Sequence, residues 1–122
     1  MKSIIIIGVL LAGLAVLLGA FGAHGLKTKV SPEDLTVFET AVKYHMSHAL
    51  GLILIGLLGF HFPEQIIQIP AYLIMAGMLI FSGSLYILVV TGTRWLGAIT
   101  PLGGLSLIAG WLLLAYNIYR SG

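Results

Sequence analysis

A chain of 122 residues with 59% hydrophobic and only 8% charged residues departs far from a soluble domain, where about a quarter of residues carry charge. The net charge of +2 is too small and too scattered to recruit nucleic acid, and the lack of cysteine excludes disulfides, thiolate metal sites and thiol catalysis. The length allows one domain, 1–122, and four apolar runs use up most of it, which leaves no room for a separate soluble catalytic unit.

Those runs are 3–23, 44–63, 65–93 and 95–119, and none contains Asp, Glu, Lys or Arg. A helix needs about 20 apolar residues to cross a bilayer's hydrocarbon core. The first run follows Met1-Lys2 as a signal peptide would, but it is about twice the usual length of such a segment, so it reads as a retained span. It carries Gly8, Ala12, Ala15, Gly19 and Gly22, spaced four, three, four, three. In lipid, helices gain little from burying apolar surface against each other, and small residues let backbones close in and gain dispersion contacts. This stripe is expected to pack on another helix, within the chain ahead of between subunits.

The only long polar segment lies between His24 and Lys43. Ser31-Pro32-Glu33-Asp34 reads as a helix start: Ser31 as cap, Pro32 in the first position and Asp34 closing a capping-box-like pair. Leu35, Phe38, Val42 and Met46 then share one face and Thr36, Glu39, Thr40 and Lys43 the other. The segment 32–43 is thus an amphipathic helix, either lying at the membrane surface or extending the second span. The second span is expected over 44–62. A third, over 70–91, is entered at Pro70 and ended by Gly92, and a fourth, over 100–119, has Thr100 as cap and Pro101 as first residue. Arg94 and Trp95 anchor the intervening segment at the interface. Gly103, Ser106 and Gly110 make a second close-packing face. The fold class is therefore all-α: an antiparallel four-transmembrane-helix bundle with a short amphipathic helix between spans 1 and 2.

The span centres hold no charged residue, which counts against an ion-coupled pump. The remaining polar candidates are His24, Tyr44, His45 and His48 near one membrane face and Ser82, Ser84 and Tyr86 in the third span. Imidazoles with a nearby carboxylate such as Glu39 are possible metal ligands. The simpler reading gives each histidine a hydrogen bond to a carbonyl or headgroup and each serine a bond to its own helix or a neighbour. His24, Tyr44, His48, Ser82 and Ser84 are the candidate polar cluster; no cofactor is expected, and no metal beyond the weak pair His24 and His48.

Gly19-Ala20-Phe21-Gly22-Ala23-His24-Gly25-Leu26 resembles the signature of the YgdD/YwdK-like family of small four-span inner-membrane proteins. Tyr44–Leu50, Phe81–Tyr86 with Thr91-Gly92, and Thr100–Gly104 with Gly110-Trp111 match further family stretches in order. The resemblance implies a four-span protein with bacterial and mitochondrial relatives, and it brings no activity. It places His24 and His48 in family motifs and leaves His45 outside them. Gly22 and Gly25 then mark a turn or a close backbone approach at the end of the first span, and Gly83 a close approach between Ser82 and Ser84.

The leading expectation is a non-enzymatic accessory, scaffold or lipid-interacting protein of the inner membrane that associates with lipid and with itself or another membrane protein. The alternative is a small oligomeric transport protein or channel with a polar path near His24, His48 and Ser84. The loops after spans 1 and 3 hold Lys27, Lys29, Lys43 and Arg94 against Lys2 and Arg120 on the other side, which favours termini outside.

Overall fold

The computed structural model describes residues 2–121, and those residues form four long helices. Helix α1 spans Lys2–Leu26, α2 Pro32–Leu58, α3 Glu64–Thr91 and α4 Thr100–Ser121. A 3₁₀ segment, Arg94–Ala98, precedes α4. All four helices are long and apolar enough to cross a membrane. Contacts run in chain order, α1 on α2, α2 on α3 and α3 on α4. The main core holds Leu52, Ile55, Ile67, Ile74, Met78 and Leu107, and a smaller one forms around Phe38, Leu88 and Val89. The outer surface is as apolar as the core: Leu10, Phe21, Leu54, Leu79, Val90 and Leu112 all point outward. Such a surface is tolerable only in an apolar solvent.

The seams follow from small residues. A Cβ on Gly8 would lie 2.8 Å from Ile53 Cγ1 and 2.9 Å from the Ala49 carbonyl, and one on Gly22 would lie 3.0 Å from the Phe38 ring. Ala15 is buried on the same face, and Gly19 faces Val42 at 3.1 Å, so α1 presents this stripe to α2. Ala12 packs at the edge of the main core. Between α3 and α4 the approach is backbone on backbone. A Cβ on Gly103 would collide with the Phe81 amide nitrogen, and one on Gly77 would lie 2.8 Å from the Gly103 carbonyl. Gly110 packs against Ile74, and Ser106 Oγ donates to the Leu73 carbonyl at 2.8 Å.

Several details refine the sequence reading or differ from it. Of the two placements open to the amphipathic segment 32–43, the structure takes the extension of the second span: it forms the first turns of α2, continuous to Leu58. Its buried line is Phe38, Ala41, His45 and Ala49, one residue away from the expected Val42 and Met46. Ser31 caps α2 through Asp34 N–H···Oγ at 3.1 Å, but the Asp34 carboxylate does not close the box: Arg94 engages both its oxygens, at 2.8 and 2.6 Å. Thr100 lies inside the first turn of α4 rather than capping it, and its hydroxyl reaches Ser84.

The third span starts at Glu64, so Pro70 sits inside α3 rather than in its first turn. Proline there removes the amide that would bond the Ile66 carbonyl. Asn117 of α4 repairs the gap, its Nδ2 donating to that carbonyl at 3.0 Å. The α1 helix also runs past its expected end at 23, with a π-helical turn over Leu18–Gly22. No turn falls at Gly22 or Gly25; among described residues the one positive φ is at Gly92, +72°, which ends α3. Gly83 has no atom within 4 Å of an added Cβ, so the close approach expected there is absent.

Candidate functional site

The expected polar cluster does not assemble. His24 is exposed at the end of α1. His48 Nδ1 bonds the Tyr44 carbonyl of its own helix at 2.8 Å, and its ring leans on Trp111 at 5.9 Å. Tyr44 is exposed and packs against Phe81 at 4.5 Å. Ser82 Oγ donates across to the Ala41 carbonyl of α2 at 2.8 Å. Ser84 Oγ lies 2.6 Å from Thr100 Oγ1 and 2.9 Å from the Phe81 carbonyl, so a proton order from Thr100 to Ser84 to Phe81 satisfies both hydroxyls. These bonds tie α2 to α3 and α3 to α4. Among described residues no group of three His, Asp or Glu is placed to hold a metal ion.

What the fold does bring together is a histidine outside the expected cluster. His45 is 4% exposed, on the α2 face that packs between α1 and α3. Its Nδ1 lies 2.8 Å from the Tyr86 hydroxyl of α3, and the two rings meet edge-on. Phe38 closes on the other side of Tyr86 at 5.2 Å. His45 Nε2 is buried with no hydrogen-bond partner. Beside it opens a niche of about 140 Å³ lined by Leu11, Leu14, Leu18, His45, Met78 and Tyr86. The sequence did carry a signal for this: 38, 41, 45, 49 and 52 recur at helical spacing as an apolar stripe, and an imidazole in that stripe is bound for the interior.

At the membrane-face end, the Asp34–Arg94 pair lies outside the charge-free runs. The Arg94 guanidinium, bonded to both carboxylate oxygens, holds the Asp34 carboxyl below its ordinary range. The pair clamps the segment after α3 onto the start of α2, so both loops share one face. At the opposite end of the molecule, a groove of about 520 Å³ runs between the last turns of α2 and the middle of α4, walled by Leu54, Leu58, Phe60, Trp111 and Leu114, with His61 beside it.

A chain whose described residues form four long helices and no strand, with an apolar exterior and small-residue seams, is a polytopic α-helical membrane protein. Residues 18–104 match the family described as "Protein of unknown function (DUF423)". A UPF0382 membrane protein of Staphylococcus haemolyticus is 48% identical over 120 residues, 98% of each chain. The UPF0382 membrane protein YwdK of Bacillus subtilis is 49% identical over 115 residues, 93% of this chain and 94% of that one. The chain belongs to this family of membrane proteins. No solved structure matches it.

Proposed function

We propose that this is a non-enzymatic protein of the cell (inner) membrane that holds a phospholipid against its surface. The groove between α2 and α4 carries the reading. It is apolar, faces outward from helices long enough to span, and ends at Phe60 and His61 where α2 stops. An acyl chain fits the Leu54, Leu58 and Leu114 walls, and the exposed His61 stands where the chain's polar head would lie. The seams support lipid over a docked protein helix. Gly8, Gly77, Gly103 and Gly110 are all used inside the chain, so the outward faces carry mainly bulky aliphatic side chains rather than the small residues that helix docking favours. The polar groups of the transport alternative support it less, because Ser84 and His48 are each bonded within the chain. We further place both termini outside and the loops after α1 and α3 in the cytoplasm, on the bias of Lys27, Lys29, Lys43 and Arg94 over Lys2 and Arg120.

Trp111 reports on the groove. The chain has two tryptophans, so Trp95→Phe leaves Trp111 alone. Loaded with phospholipid brominated in its chains and then diluted into detergent, the protein should keep Trp111 quenched at an equimolar ratio of lipid to protein. Quenching that merely follows the bulk fraction of brominated lipid would show ordinary solvation and defeat the proposal.

A further inference from the structure

The niche at His45 is a separate feature, on the opposite side of α2 from the groove. Its chemistry can be worked out from one hydrogen bond. A neutral imidazole has one donor nitrogen and one acceptor nitrogen, and a phenol has one proton to give. If Nδ1–H donated to Tyr86, both the Tyr86 proton and the Nε2 lone pair would lack partners. If Tyr86 donates to Nδ1, only Nε2–H is left over. The second order strands fewer groups, so Nε2 carries the proton and is left as a buried, unpartnered donor on a side chain that lines the niche. Leu11 of α1 lines the same niche, and no hydrogen bond to Nε2 forms. Leu14 and Leu79, at the rim, are exposed on the outer surface, so the niche opens sideways into lipid rather than toward water. Leu18, also on the wall, begins the π-helical turn of α1, and such turns recur at functional sites. At about 140 Å³ the space is close to that of an engineered apolar cavity of roughly 150 Å³ that takes up benzene.

We propose that this niche binds a lipid-soluble, ring-sized molecule that presents an acceptor oxygen, such as a ring carbonyl, to His45 Nε2–H. The apolar walls take the ring, and the imidazole selects rings that carry oxygen. Tyr86 is a positioning residue: by occupying Nδ1 it fixes the proton on Nε2.

The test uses the full chain in lipid nanodiscs with ¹⁵N-labelled histidine, titrated with acetophenone or with cumene, its hydrocarbon counterpart of similar shape. His24, His48 and His61 serve as internal controls. Acetophenone should shift the His45 Nε2 resonance saturably and leave the other three unmoved. It should bind roughly tenfold more tightly than cumene, the ratio expected from satisfying one buried donor. Gly83 also lines the niche, with open space beyond its Cα, so Gly83→Leu should abolish the shift while keeping the His45–Tyr86 bond. Equal binding of the two compounds would reduce the niche to a greasy hole and overturn the proposal. So would an Nε2 resonance that already reads as hydrogen-bonded and responds to neither, since the donor would then be satisfied by Leu11 or water. Both comparisons use the unaltered sequence, so they stand even if Gly83→Leu fails to fold.

Discussion

Asn117 and Pro70 illustrate at the residue scale how lipid enforces polar bookkeeping. In water, the Ile66 carbonyl freed by Pro70 would find a solvent partner; in hydrocarbon it has none. The Asn117 amide, one full helix away in the fold, supplies it. Asn117→Leu should therefore destabilise the chain by about 0.5–1.5 kcal/mol, measured by reversible unfolding in mixed micelles. Pro70→Ala restores an amide that can bond the Ile66 carbonyl from within α3. Added to Asn117→Leu, it should cost less than it costs alone, and strictly additive values would separate the two residues. The His45–Tyr86 pair makes a parallel case. Tyr86→Phe leaves Nδ1 buried without its partner and should cost about 1–3 kcal/mol. His45→Leu in the Tyr86→Phe background should then cost less than His45→Leu alone, because the orphaned nitrogen goes with it. Neither pair was legible in the sequence. Both join residues more than forty positions apart, through side chains whose partners only the helix order determines.

At the scale of elements, the sequence was most readable where one physical rule dominates. Charge-free length placed four spans, and Ser31-Pro32 and Gly92 marked a start and a stop that the backbone adopts. It was least readable where two rules compete. Pro70 reads locally as a helix entry, yet α3 extends six residues ahead of it because Asn117 removes the penalty. The amphipathic face of 32–43 reads as Phe38 with Val42, but the opening between α1 and α3 takes Ala41 and His45, since Ala41 lets Ser82 reach its carbonyl. The glycines also differ in a way that spacing hides. Gly103 faces backbone, Gly19 faces a movable valine methyl, and Gly13 faces nothing within 4 Å. Alanine scanning should reproduce that order: Gly103→Ala costs the most, about 1–3 kcal/mol from overpacking, Gly19→Ala little, and Gly13→Ala nothing or a slight gain in helix propensity. Equal melting temperatures for Gly103→Ala and Gly13→Ala would contradict the backbone contact between α3 and α4.

Over the whole molecule, the Asp34–Arg94 clamp ties together two loops on one membrane face, and the proposed orientation assigns that face to the cytoplasm on the bias of the basic residues. The clamp's contribution depends on pH with a definite sign. Arg94 lowers the Asp34 pKa in the folded state, so its stabilisation is present above the ordinary carboxylate value of 3.8 and is lost as pH falls through the lowered folded value. Thermal unfolding of the native chain and of Arg94→Gln should differ at neutral pH and converge in acid, and salt should narrow the gap because the Arg94 side of the pair is exposed. With the two odd loops tied together, a single orientation experiment reads both. The chain has no cysteine, so each introduced one is unique. Lys29→Cys lies in the loop after α1 and Ser121→Cys at the end of α4. In intact cells, a maleimide that cannot cross the membrane should label Ser121→Cys and spare Lys29→Cys until the cells are opened. The reverse pattern would turn the molecule over and show that four basic residues against two do not decide its insertion. Labelling of both in intact cells would mean a mixed population, the outcome expected if the clamp neutralised Arg94 before topology was set. Arg94→Gln in the Lys29→Cys chain separates those cases: it should increase labelling from outside if Arg94 contributes to the bias, because removing it leaves three basic residues against two.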